Sequence, residues 1–254
     1  MYHWHEVNWA VEVLWCDVSD RLRAQDVGTP EGLTRIPDIR AQWVDPDLFI
    51  GQTCGLSYAE RIRPFAAVIG ALTYGISGAG PGEYCSHVVT RSDSGIDTLE
   101  DMRGRVVAFN DQDSESGKGS TEQLVAPLAS NGRFFAGAVE TGGHRTSIVA
   151  VANGQADVSA IDAVSFEPKA LASLQIIHTT SSSPGTPMIT ARKHESLVPG
   201  MRRAFADAVA TLDPGAASAL RIIGFHSRED EDEDCDVIAN PPPSIWATST
   251  CSDE

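Results

Sequence analysis

The spacing of apolar and polar positions changes repeatedly along the chain, and each change predicts a new element. From Val7 to Leu22, apolar side chains recur every three or four positions, which predicts an amphipathic helix. Shorter apolar runs that end in Gly, Pro or polar clusters predict strands. The predicted strands are 47–51, 68–72, 86–91, 105–109, 137–141, 156–161 and 175–178, and further helices are predicted at 98–103, 121–129, 147–152 and 201–212.

Predicted strands and helices alternate through most of the chain. Such alternation is typical of α/β proteins whose sheets are mostly parallel. In these sheets ligands bind at the carboxyl ends of strands, where loops lead into helix N-termini. The sequence therefore predicts an α/β fold with mixed, mostly parallel sheets flanked by helices, and it directs attention to the loops that follow strands.

The charge of the chain is strongly negative and unevenly distributed. The 254 residues have a formal net charge of −16, and residues 229–254 hold nine acidic side chains and no Lys or Arg. No basic stripe is present that would neutralise the phosphates of a nucleic acid, so nucleic acid is not an expected partner. Because the acidic run is followed by three prolines, residues 227–254 are predicted to form a solvated, disordered tail.

Neither a membrane span nor an export segment is recognisable. The longest apolar run, from Phe65 to Ile76, is interrupted by Gly and Thr and is shorter than the roughly 20 residues that a spanning helix needs. Residues 1–6 provide neither a basic start nor an apolar core. Two alternatives follow: the protein stays inside the cell, or the chain as given lacks its export segment.

The cysteines match no metal or redox motif. The chain has five of them, their spacing fits neither a zinc site nor a CxxC pair, and their odd number argues against a complete disulfide framework. We expect buried or incidental thiols at these positions. They are Cys16, Cys54, Cys85, Cys235 and Cys251.

Some segments partly match cofactor-binding or catalytic motifs, but none of them matches completely. Ser-Gly-Lys-Gly at 116–119 lacks both the Ser or Thr that follows the lysine of a P-loop and its earlier Gly. The Gly-rich run at 78–83 precedes a strand instead of opening a helix, and no Gly-x-Ser-x-Gly elbow is present. His3 and His5 are interpreted as packed or exposed side chains. No cofactor and no metal site are therefore expected.

Two loops that follow predicted strands carry small polar residues where a helix begins. One contains Ser114, Ser116 and Gly117, and the other, 141–147, contains two glycines and His144. A helix N-terminus offers N–H donors and about half a positive charge, Ser adds a hydroxyl donor, and Gly allows close approach to the backbone. Two such ends together would bind a tetrahedral oxyanion without Lys or Arg.

Simpler roles are open for each of these residues. Ser114 and Ser147 are compatible with ordinary N-caps, because Ser is a common capping residue. His144 taken alone is compatible with a structural role. Asp162, at the end of a predicted strand, is compatible with capping of the next segment. The order of all these segments together is what favours a binding site.

The order of motifs between residues 45 and 167 resembles the substrate-binding components of phosphate, phosphite and phosphonate ABC transporters. The matching segments are Asp47–Gly55 (DLFIGQTCG), Tyr74-Gly75, Gly82–Val89 (GEYCSHVV), Thr98–Gly104 (TLEDMRG), Phe109–Gly117, Thr141–His144 (TGGH), Ala150–Val158 (AVANGQADV) and Ile161–Val164 (IDAV). The segments from Thr141 onward are the most specific part of the resemblance.

The resemblance implies a two-lobed, type II periplasmic-binding-protein-like fold with a ligand cleft between the lobes. One lobe would comprise residues 1–89 and 186–226, the other residues 90–185, and the two would close on the ligand. The resemblance further implies that the protein binds phosphate, phosphite or a phosphonate, that it is not an enzyme, and that it works in the periplasm with an ABC-transporter permease as partner.

The resemblance also implies the ligand-binding residues. Ser114, Glu115, Ser116 and Gly117 occupy the family's Ser-Thr-Ser-Gly anion loop, and His144 its cleft histidine. Glu115 departs from the family's Thr, and a carboxylate that faced the ligand would disfavour a dianion. The remaining implied ligand-binding residues are Ser147, Tyr58, Tyr84 and Asp162.

Two other functions are compatible with the sequence. A hydrolase-like enzyme would use Ser114 or Ser116 as nucleophile, His144 as base and Asp162 to orient the base, which requires Ser–His and His–Asp hydrogen bonds. A binding protein of the same fold for another small molecule, such as a sulfonate or a thiamine-precursor-like compound, would have extra aromatic or apolar room in its site.

Overall fold

Two units, each with its own sheet, make up the described chain. The computed structural model describes residues 2, 4–34, 38–166 and 173–228. Unit 1 contains the residues up to Tyr84 and those from Ser183 onward, and unit 2 contains Cys85–Ser182. Unit 2 is thus inserted in the chain of unit 1. Of the tail expected at 227–254, Ser227 belongs to a strand, and residues 229–254 lie outside the described residues.

The helices are short except at the start of the chain and near its end. They are α1 (Asn8–Arg23), α2 (Ile39–Trp43), α3 (Gly55–Ser57), α4 (Ser120–Val125), α5 (His144–Ala152), α6 (Val198–Ala210) and α7 (Pro214–Leu220). The π-helical segments Tyr58–Ile62 and Glu115–Gly119 follow α3 and precede α4. The amphipathic pattern that predicted α1 is confirmed, because the side chains buried along it recur at helical spacing. They are Ala10, Leu14, Val18, Ser19 and Leu22.

The strands form one large sheet in each unit and a separate small one. They are β1 (Gly51–Gln52), β2 (Ala66–Tyr74), β3 (Glu83–Tyr84), β4 (Ser86–Arg91), β5 (Val106–Phe109), β6 (Gly137–Glu140), β7 (Val158–Asp162), β8 (Leu174–Thr179), β9 (Ser183–Pro184), β10 (Pro187–Ala191) and β11 (Ile222–Ser227). In the small sheet, β3 pairs with β9.

Unit 1 is built on an antiparallel sheet in the order β1-β10-β2-β11. Its strand β2 is apolar and buried along almost its whole length, because it pairs on both sides and α6 contacts it. Gly70 lies in β2 where β11 comes close. A Cβ atom at Gly70 would lie 2.5 Å from the carbonyl oxygen of His226, so this strand pair requires a residue without a side chain there.

Unit 2 is built on a sheet in the order β6-β5-β7-β4-β8. β5 runs parallel to both of its neighbours, β6 and β7, whereas β4 runs antiparallel to β7 and β8. From β5 the chain reaches β6 through α4, and it then crosses through α5 to β7, on the other side of β5. The direction of the connections therefore reverses at β5.

This reversal places α4 and α5 on opposite faces of the sheet. Val125 of α4 packs in one core cluster with Val88, and Ile148 of α5 packs beside another that contains Val89. Val88 and Val89 are neighbours in β4, and neighbouring side chains of a strand point to opposite faces. The loops that follow β5 and β6 nevertheless open at the same edge, since parallel strands end there together, and this edge is where ligands bind in such sheets.

The α/β class with mixed, helix-flanked sheets is confirmed, but the expected predominance of parallel pairing is corrected. Among the described strand pairs, parallel pairing joins β5 to β6 and β5 to β7, and the others are antiparallel. The regular alternation of strand and helix that predicted parallel sheets is confined to residues 106–162. Outside it, β10 and β11 were not predicted, and both run antiparallel to β2.

Two local predictions change in the structure and one is confirmed. The apolar run 47–51 is a strand only at Gly51–Gln52, because the Asp45 carboxylate accepts from the Asp47 N–H at 2.8 Å and holds a turn before it. α5 begins three residues earlier than predicted. The capping arrangement of Thr98 and Asp101 forms: Asp101 Oδ2 accepts from the Thr98 N–H at 2.9 Å, and Thr98 Oγ1 from the Asp101 N–H at 3.3 Å.

Candidate functional site

The site lies in unit 2, where the loops after β5 and β6 enter their helices. β5 ends at Phe109, and the chain reaches the first helical turn at Glu115. β6 ends at Glu140, and Gly143 precedes α5 with an extended backbone. The N–H groups of the first turn of a helix have no partner within the helix, so both ends offer donors to a ligand.

Ser114 shapes the first of these ends. Its backbone is extended, and its Oγ accepts a hydrogen bond from the Gly117 N–H at 3.0 Å, as an N-cap does. Its carbonyl accepts from the Gly119 N–H at 2.9 Å. The Thr121 hydroxyl donates to the Gly117 carbonyl at 2.6 Å. The structure thus shows the capping role that was open for Ser114. Hydrogen bonds from Gly117, Gly119 and Thr121 hold the turn that follows it.

Ser116 and His144 join the two helix ends. Ser116 Oγ and His144 Nε2 lie 2.8 Å apart, within hydrogen-bond distance. Ser116 is 5% exposed. On the other side of the imidazole ring, the Asp162 N–H faces Nδ1 at 3.5 Å, a long contact. Two residues that the sequence placed in separate loops therefore meet, and the end of β7 lies beside them.

His144 is a neutral side chain in this environment. Burial lowers the pKa of His144 from 6.5 to about 4, and a backbone hydrogen bond at Ala160 acts in the opposite direction without reversing the effect. A neutral imidazole offers one donor and one acceptor nitrogen. At neutral pH the ring therefore acts as a hydrogen-bonding group and not as a cation.

Ser147 and Asp162 have structural partners beside the site. Ser147 was predicted to begin a helix, but it lies inside α5, fully buried, with its Oγ 2.6 Å from Thr141 Oγ1. Asp162 is also fully buried, and its Oδ1 accepts from the backbone N–H groups of Val164 at 2.7 Å and Ser165 at 3.2 Å. The capping role left open for Asp162 is seen here, and both residues fix the loops around the site.

Sequence reasoning overlooked Asn110, which packs against Gly117. A Cβ atom at Gly117 would lie 2.0 Å from Asn110 Oδ1. That oxygen is buried and has no hydrogen-bond partner in the part of the chain that the structure describes. Asn110 follows β5 directly, and nothing in its spacing distinguishes it from a loop residue. The need for Gly at 117 thus comes from a side chain within the loop itself.

Charged side chains surround the first helix end. Glu115 is 4% exposed, although it carries an ionisable group. In the next turn, Lys118 and Glu122 form an ion pair at 3.2 Å, with the Glu122 side chain 3% exposed. The loop before them contributes Asp111 and Asp113. Acidic groups therefore outnumber basic ones along this segment.

Tyr58 and Tyr84, the two other implied binding residues, belong to unit 1. Tyr58 is buried in a cluster that includes Leu48 and Ile189, and its hydroxyl donates to the Ala66 carbonyl at 3.3 Å. Tyr84 is buried at the end of β3, opposite Ser183 of β9. Tyr58 is thus placed as a core side chain of unit 1.

The described cysteines are free thiols. Cys16 is exposed, Cys54 is half-buried and Cys85 is buried, while Cys235 and Cys251 lie outside the described residues. Burial raises the pKa of the Cys85 thiol, and the charge of Asp162 adds to this effect.

The described ranges contain neither a cluster of metal ligands nor a membrane-spanning helix. Within residues 4–34, 38–166 and 173–228, no three His, Cys, Asp or Glu side chains are grouped so that they could hold a metal ion. No helix in that part of the chain is both long enough and apolar enough to cross a membrane.

Several solved structures have a similar fold and cover most of this chain. XAC2383 of Xanthomonas citri, solved with ATP, has a TM-score of 0.69 at 18% identity, with 92% of each chain covered. PhnD1 of Prochlorococcus marinus, solved with methylphosphonate, has a TM-score of 0.68 at 18% identity, with 91% of each chain covered. A phosphonate-transporter binding protein of Pseudomonas aeruginosa has a TM-score of 0.63 at 19% identity, covering 90% of this chain and 84% of the other. These similarities show the fold.

The family is shown by the sequence. No curated protein matches the chain. The family model described as "ABC transporter, phosphonate, periplasmic substrate-binding protein" matches residues 47–234, which is well over half of the chain and includes every segment of the site. The chain therefore belongs to the family of periplasmic substrate-binding proteins of phosphonate ABC transporters.

Proposed function

We propose that this protein binds a small phosphonate-like oxyanion at the Ser114–Gly117 turn and His144, and delivers it to an ABC-transporter permease in the periplasm. The observation that carries the proposal is the 2.8 Å approach of Ser116 Oγ to His144 Nε2, at the meeting point of two helix N-termini. Helix N-termini, hydroxyl groups and a neutral imidazole are donors suited to an anion. The solved structure of PhnD1 with methylphosphonate supports this ligand class.

Each donor has a defined part in the proposed complex. If the hydrogen of the neutral ring lies on Nε2, His144 donates to Ser116 Oγ and leaves the hydroxyl hydrogen for the ligand. The backbone N–H groups at the start of the Glu115–Gly119 turn and of α5 supply further donors. Hydrogen bonds of this charge-assisted kind contribute about 1.5–3 kcal/mol each.

Binding is proposed here in preference to catalysis. A general base works best when its pKa lies near the operating pH, whereas burial lowers the pKa of His144 to about 4. The Asp162 Oδ1 that a triad would aim at the imidazole accepts hydrogen bonds from Val164 and Ser165. Both features favour a fixed anion site over a nucleophile and its base.

The test is a thermal-shift screen followed by calorimetry. The panel contains phosphate, phosphite, methylphosphonate, 2-aminoethylphosphonate, sulfate, taurine and ATP, the last because a protein of similar fold holds it. A ligand at one hundred times its Kd stabilises the fold by about 2.7 kcal/mol. We expect a phosphonate to bind, and His144→Ala and Ser116→Ala to weaken it at least about tenfold.

A matched control separates this result from general damage. His178 lies in β8 of the same sheet, three strands from β5, so His178→Ala should leave the affinity unchanged. Binding of no phosphorus oxyanion, or equal affinities in the wild type and both site variants, would contradict the proposal.

A further inference from the structure

A pair of hydroxyl groups spans the loop that precedes His144. Thr141 Oγ1 and Ser147 Oγ lie 2.6 Å apart, and Ser147 is fully buried. Thr141 Oγ1 also lies 3.1 Å from the Phe109 carbonyl and 3.2 Å from the Gly143 carbonyl, within hydrogen-bond distance of both. Because a carbonyl only accepts, both hydroxyl hydrogens are used when Ser147 donates to Thr141 and Thr141 donates to a carbonyl.

Two glycines, Gly142 and Gly143, lie between the two hydroxyl residues and directly before His144. Gly142 has a φ of +80°, in the left-handed region that Gly adopts without strain. A Cβ atom at Gly142 would lie in open space, so packing does not fix this part of the loop. Glycine loses more conformational freedom on folding than any other residue. Hydrogen bonds across the loop must therefore hold the backbone that carries His144.

The contacts of the hydroxyl pair reach both loops of the proposed site. Phe109 is the last residue of β5, after which the chain continues to Ser116. Gly143 is bonded directly to His144, and its carbonyl also accepts the Ser147 N–H at 2.9 Å. The pair thus ties the start of α5 to the end of β5. It does so one residue before the imidazole that meets Ser116.

We propose that Thr141 and Ser147 are positioning residues that act through His144, by holding the start of α5 so that His144 Nε2 stays at Ser116 Oγ. The inference rests on the proposed function, because it concerns the geometry of the donors at that site. It gives Ser147 a different role from the ligand contact that the family resemblance implied. A loop released by loss of the pair would have to be ordered again when the ligand binds, which lowers the affinity.

The experiment measures the affinity of the full chain for methylphosphonate by calorimetry and its free energy of unfolding in urea. Thr141→Val removes the hydroxyl and keeps the branched shape of the side chain, whereas Thr141→Ser keeps the hydroxyl. Ser147→Ala removes the partner. We expect Thr141→Val and Ser147→Ala each to lower the affinity about fivefold, the effect of one ordinary hydrogen bond. Thr141→Ser should stay within about twofold of the wild type.

A positioning role predicts that these losses depend on each other and on His144. Either substitution breaks the pair, so the variant with both Thr141→Val and Ser147→Ala should bind about as well as either single variant. In a His144→Ala background, Thr141→Val should change the affinity less than about twofold, because the side chain that the pair positions is gone. A purely structural contribution would lower the free energy of unfolding without this dependence.

The nitrogen-15 signals of the His144 ring test the same role without a ligand. They report which ring nitrogen carries hydrogen and the hydrogen bonds that it makes, and comparison with His144→Ala assigns them. Because the pair keeps Nε2 at Ser116 Oγ, Thr141→Val should shift the Nε2 signal. Thr141→Ser should leave the signal in place.

A second hydroxyl pair in unit 2 provides the matched control. Thr90 Oγ1 lies 2.9 Å from Ser94 Oγ and donates to the Asp157 carbonyl at 2.9 Å. Thr90 pairs with the first residue of β7, whereas Asp162 is the last residue of β7 and lies beside His144. The control pair is therefore at the opposite edge of the same sheet. Thr90→Val should lower the free energy of unfolding and leave both the affinity and the His144 signals unchanged.

The outcomes separate this inference from the function on which it rests. Unchanged affinity in Thr141→Val and Ser147→Ala, or a loss that persists undiminished in the His144→Ala background, overturns the positioning role and leaves the proposed function standing. A loss that Thr90→Val reproduces does the same. If no phosphorus oxyanion binds the wild type, the proposed function fails, and the His144 signals then decide alone. An Nε2 signal that Thr141→Val does not move would show that the pair does not position the imidazole.

Discussion

Ser116 Oγ and His144 Nε2 lie 2.8 Å apart although their helices cover opposite faces of one sheet. The two residues are 28 positions apart in sequence. They meet because β5 and β6 are parallel neighbours, so that the loops after them, and both helix starts, lie at the same strand edge. The topology of the sheet, and not the sequence between them, therefore brings the two donors together.

The losses of binding free energy caused by replacing Ser116 and His144 should be non-additive. Each of Ser116→Ala and His144→Ala removes one donor and leaves the other without its partner at 2.8 Å. The double variant should therefore lose less binding free energy for methylphosphonate than the sum of the single losses, by about 1 kcal/mol. Calorimetric titration of the four proteins measures this coupling. Strict additivity would show that the two side chains act independently.

Acid should destabilise the protein partly through His144. Its pKa is about 4 in the folded chain, against 6.5 for an unperturbed histidine, so the unfolded chain binds the proton more readily between these values. Stability from this group is complete above pH 6.5, is lost as the pH falls toward 4, and amounts to at most about 3 kcal/mol. Urea unfolding measured between pH 7.5 and pH 4 should show that His144→Gln loses less unfolding free energy than the wild type as the pH falls. Parallel curves of unfolding free energy against pH for the two proteins would contradict this role of His144.

Gly117→Ala should weaken ligand binding through Asn110. The new Cβ atom would lie 2.0 Å from Asn110 Oδ1, so the amide must move and carry the loop with it. We expect an affinity loss of about tenfold, which corresponds to about 1.4 kcal/mol. Asn110→Ala in the Gly117→Ala background should restore most of it, because the clash is gone. If the double variant binds as weakly as Gly117→Ala, the alanine disturbs the turn by another route.

Gly70→Ala should destabilise unit 1. The added Cβ would lie 2.5 Å from both the His226 carbonyl oxygen and the Phe225 ring, and overpacking of this kind costs about 1–3 kcal/mol. Gly224→Ala is the matched control, because its Cβ would have Thr73 as nearest contact at an ordinary 3.5 Å. Chemical unfolding of both variants checks the difference. If Gly70→Ala and Gly224→Ala had equal free energies of unfolding, β2 and β11 could move apart at Gly70 without an energetic cost.

Periodicity and loop chemistry predicted the parts of the fold that depend on local sequence. The buried Leu14, Val18 and Leu22 of α1 and the Thr98–Asp101 cap follow from spacing alone. β10 was not predicted, because all of its side chains are buried and its apolar run shows no alternation. β11 was missed for a related reason: its pairing with β2 includes a register shift near Gly224, and a strand of this kind is recognisable only beside its partner.

The site was predictable as a set of segments and unpredictable in its contacts. The loops that hold Ser116 and His144 were identified from strand–loop–helix order. Ser147 was assigned to a helix start, but its hydroxyl contacts Thr141, and this pairing depends on where α5 begins. Asn110 gave no signal, since its importance lies in the absence of a side chain at Gly117. The spacing of residues within one loop does not reveal which side chains of another loop it contacts.

The reversal of connections at β5 also has a consequence for how unit 2 folds. Because β5 and β7 are separated in the chain by both α4 and α5, the edge at which Ser116 meets His144 exists only after all three parallel strands have paired. No local hairpin or isolated helix within the described part of this unit holds both donors. Competence to bind should therefore arise only after this long-range pairing during refolding. Ligand capture would report that the three parallel strands have paired, and chains that lack this pairing would be unable to bind the ligand.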